Sequence, residues 1–254
     1  MASQSSGDAV RFDGRCCGRD HSPAEAEETW QVLREAKFPS LNLDVMFSIP
    51  GQGPETWRQT LEHSLSLKPD HISAYNLNYE EDTDFFRRLQ KGEFRTDEGR
   101  DADFFHLAID LLEAGGFEHY EISNYAKPGH RSAHNEAYWL GADYLGIGPG
   151  AFSTVEGRRW KNVPDTDRYI ALTLVGEKTA MDVEILTEED RRTERFGLEL
   201  RTKRGLPLDL IASDQRRMLD TLRDQGLLDY DEAFVRLTRT GKPLVDPIAV
   251  ALMG

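Results

Sequence analysis

The sequence predicts an α/β fold, in which a parallel sheet with crossover helices is followed by a smaller and mainly helical domain. Segments with helical and with strand-like hydrophobic patterns alternate three times before residue 123, as they do in parallel sheets. The next segment, up to about Glu184, is rich in glycine and aromatic residues and predicts loops and short strands laid over the sheet. The rest, roughly 70 residues, has the size of a small domain.

The three helices of the first part have recognisable starts and ends. Ser22-Pro23-Ala24-Glu25 is a capping-box pattern with proline at the first helical position. Pro54 opens the second helix, and Gly115-Gly116 ends the third. The predicted helices extend over residues 23–38, 54–65 and 97–114.

The three strands are short apolar or alternating runs between these helices. They are predicted over residues 41–47, 71–77 and 119–122. Functional residues of such folds lie at the carboxyl ends of the parallel strands. Asp44 and Asn78 are expected at two of these ends.

The last part predicts a winged-helix-like α+β domain. Thr187-Glu188-Glu189 begins a long helix that continues to about Leu200. The further predicted elements are a helix over 213–225, a strand and wing over 236–242 and a closing helix over 243–253.

The composition excludes several classes of protein. The formal net charge of −14 argues against nucleic-acid binding, which needs a basic face to displace counterions from phosphates. No run of 18 apolar residues and no signal-like N-terminus is present, so no transmembrane segment is predicted and a cytoplasmic location is expected. The two cysteines, Cys16 and Cys17, are adjacent and cannot provide a disulfide framework or a four-thiolate cluster.

The densest motif is a block rich in histidine, glycine and aromatic residues. It consists of YEISNYAKPGH at 120–130, HNEAYW at 134–139 and YLGIGPGA at 144–151. This block resembles radical S-adenosylmethionine haem chaperones of the HemW type, the family related to oxygen-independent coproporphyrinogen III oxidase. The resemblance implies a haem-binding HNxxYW motif, formed here by His134, Asn135, Tyr138 and Trp139.

Within this motif, the resemblance implies His134 as the axial ligand of the haem iron, with His130 as the competing ligand. A neutral imidazole suits this role, and flanking aromatic rings can cover a porphyrin face. Without the resemblance, the alternative is a histidine that caps a loop beside a Tyr-Trp pair in the core. Gly146, Gly148 and Gly150 do not have dinucleotide-loop spacing and predict a turn with close backbone approach. Where the family has a histidine after this turn, the chain has Phe152.

A second matching block is Gly18-Arg19-Asp20-His21 followed by NLDVMFSIPGQ at 42–52. The resemblance implies that Arg19 and Asp44 contact S-adenosylmethionine through side chains and Asn78 through its backbone. Arg19 and Asp44 are therefore expected near one another. The alternative for Asp44 is a helix cap or a buried ion pair with Arg19. Ser48 replaces a family glycine, which predicts a less close-fitting turn.

Upstream of Arg19 the resemblance ends. Family members begin with a CxxxCxxC motif that ligates a 4Fe–4S cluster, and this chain has no such motif. The cluster expected for the family therefore lacks its ligands here, and affinity for S-adenosylmethionine is expected to be weak or lost. The predicted domains are a divergent segment at 1–18, a C-terminal part of a radical-SAM partial (β/α) barrel with its covering segment at 19–182, and the winged-helix-like domain at 183–254.

The sequence supports two classes of function and leaves open whether the chain is an enzyme. The first is a haem-binding or haem-trafficking chaperone that passes haem to an acceptor protein. The second is a coproporphyrinogen III oxidase-like radical-SAM enzyme. A third alternative is that the chain is an N-terminally truncated, inert fragment of either. A homodimer is also left open. A partial barrel is also expected to expose a sheet edge and an apolar inner face.

Overall fold

A computed structural model of the chain describes residues 22–81 and 83–254. The chain forms two compact units, which divide between Arg131 and Ser132. The domain boundary predicted between residues 182 and 183 falls inside the second unit, within a strand at Ala180–Ile185. The three-part division of the sequence therefore stays a prediction.

The first unit contains the alternating helices and strands. In chain order they are α1 (Pro23–Glu35), β1 (Asn42–Phe47), α2 (Pro54–Ser66), β2 (His71–Asn76), α3 (Asp84–Gln90), α4 (Glu98–Ala114), β3 (Glu118–Glu121) and β4 (Asn124–Ala126). The six predicted elements are present, with ends that differ by a few residues. The sequence patterns did not predict α3 or β4.

Local signals explain where α1 begins and ends. The Ser22 side chain accepts from the backbone N–H of Glu25, whose carboxylate accepts from the Ser22 N–H, so the predicted capping box is confirmed. The helix ends at Glu35, before the predicted Phe38, because Lys37 adopts a left-handed conformation with φ of 55°.

The sheet of the first unit is mixed, which corrects the expected parallel sheet. Its strand order is β1-β2-β4-β3, and only β1 and β2 pair in parallel. A two-residue connection joins β3 to β4, and so short a connection produces an antiparallel pair. Strand β4 then inserts between β2 and β3, and among the described strands β1 lies at an edge of the sheet.

One face of this sheet packs against α2 and α4. Apolar side chains at alternate positions of β1 and β2 contact the buried faces of these two helices. The buried side chains of this core include Val45, Phe47, Ile72, Ala74, Trp57, Leu61, Phe104, Ala108 and Leu112. The indole N–H of Trp57 donates to the Phe104 carbonyl at 2.9 Å, which joins α2 to α4 inside the core.

The second unit contains two three-stranded sheets. Its elements are α5 (Ala133–Trp139), β5 (Phe152–Val155), β6 (Arg158–Asn162), α6 (Thr166–Leu174), β7 (Ala180–Ile185), α7 (Glu188–Glu199), β8 (Leu206–Pro207), α8 (Arg216–Asp224), β9 (Leu228–Tyr230), β10 (Phe234–Leu237) and α9 (Val245–Met253). The sheet orders are β5-β6-β7 and β8-β10-β9. The second sheet with α7, α8 and α9 agrees with the predicted winged-helix-like architecture.

Candidate functional site

The face of the first unit's sheet that points away from α2 and α4 carries polar side chains. Asn42 and Asp44 alternate with the core residues of β1, and His71 and Ser73 do so in β2. The parallel register pairs Asn42 with His71 and Asp44 with Ser73. These four positions are polar, whereas the expected inner face is apolar; Met46 and Tyr75, which are paired further along the same face, agree with that expectation.

A chain of hydrogen bonds crosses this polar face. The Nε2 atom of His71 lies 2.7 Å from Tyr120 Oη, and its Nδ1 atom lies 2.6 Å from Asn42 Oδ1. Asn42 Nδ2 donates to Asp44 Oδ1 at 2.7 Å, and Ser73 Oγ donates to Asn42 Oδ1 at 3.3 Å. These hydrogen bonds therefore connect three strands and end at the Asp44 carboxylate.

His71 is buried in this network. Its exposed fraction is only 4%, and burial lowers the pKa of its imidazole because a buried charge loses hydration. The negative charge of Asp44 acts in the opposite direction and is the smaller effect. The neutral imidazole is therefore the form that the folded unit favours.

Asp44 is exposed and is the third of the six residues of β1. The expectation that it lies at the carboxyl end of a strand was therefore wrong, because β1 continues through Phe47. Its carboxylate does not cap a helix; Oδ1 accepts from Asn42. Arg19 lies outside the described residues, so its expected proximity to Asp44 stays a prediction.

Asn78 lies two residues after the end of β2, as expected, and it is exposed. Ser48 directly follows β1 and has a left-handed φ of 63°. This backbone region favours glycine, the residue that the family resemblance implies at this position. Here the serine hydroxyl donates to Asp101 Oδ1 at 2.6 Å, so the buried side chain has a partner on α4.

The HNxxYW motif forms α5 of the second unit. The Ser132 hydroxyl caps this helix by accepting from the Asn135 N–H at 3.3 Å. His134 and Tyr138 are four residues apart, so they share one helix face, and both are exposed. Among the described residues, the His134 ring has no hydrogen-bond or ion-pair partner.

Aromatic rings surround Tyr138. Its ring centroid lies 5.6 Å from that of Trp139 and 5.5 Å from that of Tyr144. The guanidinium of Arg201 lies 5.7 Å from the Trp139 ring centroid. The Tyr-Trp pair therefore does not form a buried core of its own, since Tyr138 is 42% exposed.

The alternative ligand His130 is in the first unit and is half-buried. Its Nδ1 atom lies 3.2 Å from Ser40 Oγ. No group of three or more histidine, cysteine, aspartate or glutamate residues within the described ranges could hold a metal ion.

The glycine-rich turn after α5 brings backbones close together, as predicted. A Cβ atom at Gly146 would lie 2.0 Å from the carbonyl oxygen of Phe152, so only glycine fits there. Phe152 itself is 50% exposed, and the ammonium of Lys161 lies 5.3 Å from its ring centroid. Leu145 and Ile147 on the same turn are also exposed.

Comparison with known proteins identifies relatives of the whole chain. The chain is 32% identical over 246 residues to the heme chaperone HemW of Bacillus subtilis. The matched region covers 93% of this chain and 65% of that protein. By sequence, the chain is a relative of the HemW proteins. It is also 31% identical over 237 residues to HemW of Mycobacterium tuberculosis, covering 93% of this chain and 61% of that protein. No family model matches the chain.

A solved structure supports the fold. The coproporphyrinogen III oxidase HemN of Escherichia coli, described as a radical SAM enzyme, superimposes with a TM-score of 0.75 over 95% of this chain and 62% of that chain. At 21% identity, this match concerns the fold alone, and it confirms the predicted α/β fold class. The chain spans less than two thirds of the length of the HemW relatives and of HemN.

The sequence patterns assign no role to four members of the polar face and its network. Asn42 and Tyr120 lie in the matched blocks, and His71 and Ser73 belong to a predicted strand. The available signal was the alternation of Asn42 with Asp44 and of His71 with Ser73 in neighbouring strands.

None of the helices in the described ranges is both long and apolar enough to cross a bilayer.

Proposed function

We propose that the chain binds haem through His134, as part of a haem-trafficking function like that named for its HemW relatives. The observation that carries the proposal is the exposed His134 ring, which has no partner among the described residues. An axial ligand must offer an accessible nitrogen to the iron. A core histidine with both nitrogens hydrogen-bonded, such as His71, does not meet this requirement.

The residues beside His134 fit a porphyrin. Tyr138 lies one helical turn away on the same face, and the Tyr138, Trp139 and Tyr144 rings form a continuous aromatic group. Asn135 precedes this group by one helical turn and supplies an amide for polar contacts. When bound, haem would supply an iron centre and a large apolar face, which these side chains would hold and partly cover.

The first unit carries the remaining part of the proposal, a pocket for S-adenosylmethionine. Asp44 would accept hydrogen bonds from ribose hydroxyls, Arg19 would pair with a carboxylate, and the Asn78 backbone would contact the same molecule. The exposed Asp44 carboxylate and the polar sheet face favour this use. We expect weak affinity, because this chain's cysteines do not fit the cluster that would hold the methionine group.

We therefore derive no radical chemistry for this chain. The coproporphyrinogen III oxidase-like alternative would need cluster ligands that Cys16 and Cys17 cannot provide, since they are adjacent. A haem-accepting partner protein, a homodimer and a cytoplasmic location complete the proposal. The chaperone name of the HemW relatives supports the haem-accepting partner.

A haem titration of the full chain tests the proposal. His134→Ala should weaken haem binding and shift the Soret band, because the axial ligand to the iron is removed. The control is His63→Ala, which removes an exposed histidine that pairs with Glu27 on α1 at 3.2 Å. It should leave both the affinity and the spectrum unchanged.

The same titration separates the competing ligand. If His130→Ala changes the Soret band and His134→Ala does not, His130 is the ligand and the assignment to His134 is wrong. If neither variant has an effect, the haem proposal fails. The spectrum is the more informative measurement, because exposed apolar side chains can also bind haem without a specific ligand.

A further inference from the structure

We propose that Tyr120, His71 and Asn42 form a positioning relay that orients the Asp44 carboxylate toward the hydroxyl groups of a nucleoside bound on the polar sheet face. The inference rests on the proposed S-adenosylmethionine pocket and assigns roles to three residues that do not themselves touch the ligand. Its evidence is the set of hydrogen bonds, their direction and the burial of the residues.

The carboxylate fixes the direction of every hydrogen bond in the relay. Because the Asp44 carboxylate only accepts, the amide nitrogen of Asn42 must face it, and Oδ1 of Asn42 then faces His71. This carbonyl oxygen also only accepts, so Nδ1 of His71 carries the proton. In the neutral ring Nε2 is then an acceptor, and the Tyr120 hydroxyl donates to it.

The sheet holds the members of the relay in place. Asn42 and His71 are paired positions of β1 and β2, and Tyr120 lies on β3, beyond the intervening β4. Ala126, the β4 residue paired with His71, carries only a methyl group, which leaves room for the tyrosine to cross. Tyr120 and His71 are 2% and 4% exposed, so neither ring is free to change its position.

The exposed end of the relay is the functional end. Asp44 Oδ1 is occupied by Asn42, while Oδ2 has no hydrogen-bond partner within residues 22–81 and 83–254. The Ser73 hydroxyl adds a second donor to Asn42 Oδ1, while the accept-only Asp44 carboxylate keeps the amide nitrogen on its own side. A ligand hydroxyl would therefore meet a carboxylate oxygen whose direction is already set, so less conformational entropy is lost on binding.

Nitrogen-15 NMR of the histidine rings tests the relay without any ligand. In the unmodified chain near pH 8, His71 should be in the tautomer with the proton on Nδ1. Asn42→Ala should remove this preference, because the acceptor for Nδ1–H is lost. If His71 carries its proton on Nε2 in the unmodified chain, the relay is overturned, whatever the ligand proves to be.

Calorimetry with S-adenosylmethionine tests the role of the relay in binding. Asn42→Ala and Tyr120→Phe should each weaken binding about fivefold, which corresponds to about 1 kcal/mol, the net value of a typical hydrogen bond. Asp44→Ala should weaken binding at least as much. The control is Gln59→Ala, which removes another amide-to-carboxylate contact, at 3.3 Å to Glu55 on the solvent-facing side of α2, and should have no effect.

The outcomes distinguish the two proposals. If Asp44→Ala does not change the affinity, the proposed pocket is wrong, while the NMR result still decides whether the relay exists. If Asp44→Ala weakens binding and neither Asn42→Ala nor Tyr120→Phe does, the pocket stands and the positioning role is wrong. Asn42 is exposed on an edge strand, so its substitution should not prevent folding even if Tyr120→Phe does.

Discussion

At the scale of single residues, His71 links stability to pH. Its pKa is lowered from the usual 6.5 by burial, so the folded chain resists protonation at a pH where the unfolded chain accepts a proton. The contribution is fully present above about pH 6.5 and is lost as the pH falls toward the folded-state pKa. Urea unfolding should therefore give a free energy that decreases between pH 8 and pH 5.5.

The variant His71→Gln should remove this part of the pH dependence. It deletes the titrating group, so the decrease between pH 8 and pH 5.5 should be shallower, even if the variant is less stable at every pH. His63→Gln, at an exposed position of α2, is the matched control and should keep the slope of the unmodified chain. An equal slope in His71→Gln and in the unmodified chain would contradict this account of His71.

At the scale of elements, α4 depends on its N-cap. The Asp97 carboxylate accepts from the Arg100 N–H at 3.0 Å and occupies one of the free donors of the first turn. The helix carries Phe104, Ala108 and Leu112 of the core. Asp97→Ala should therefore lower the free energy of unfolding by about 1 kcal/mol, measured with urea.

Two further variants make the cap measurement specific. Asp97→Asn keeps a capping oxygen and should retain most of the stability. Asp103→Ala removes an exposed carboxylate from the interior of the same helix and should be nearly neutral, since alanine favours helix formation. If Asp103→Ala costs as much as Asp97→Ala, the effect is one of charge and not of capping.

The two elements of the first unit that the sequence patterns did not predict are too short to show a recognisable hydrophobic period. Strand β4 has only three residues, too few for an alternating pattern to be recognised. Helix α3 has only seven residues and none of them is fully buried, so its apolar residues do not extend over enough turns to show a helical period. The long helices and the strands β1 and β2 were predicted, because their packing faces recur with a clear period.

At the scale of the whole molecule, the cysteine content limits the chemistry. We expect that the purified chain, reconstituted anaerobically with iron and sulfide, will show neither 4Fe–4S absorption nor a reduced-state EPR signal. The reason is that Cys16 and Cys17 are the only thiols and are adjacent. The double variant Cys16→Ser, Cys17→Ser is the control and should bind the same small amount of nonspecific iron as the unmodified chain. A stoichiometric cluster in the unmodified chain would refute the prediction.

The sequence by itself determined the α/β class, the helix starts at Ser22, Asp97 and Thr187, and the family relationship. These features depend on local patterns and on motifs such as HNEAYW, which are readable without a fold. The sequence also indicated His134 and Asp44 as candidates. It placed Asp44 wrongly at a strand end, because strand ends are less well marked by local patterns than strand centres.

Only the tertiary structure decided what surrounds these residues. The exposure of His134 depends on how α5 packs. The hydrogen bonds from Tyr120 through His71 to Asn42 join residues up to 78 positions apart. They cross strands whose order includes the unpredicted β4. Sequence spacing carries no information on such pairings, because strand order and register are set by the packing of the whole sheet. The polar inner face and its directed hydrogen bonds therefore became visible only in the folded unit.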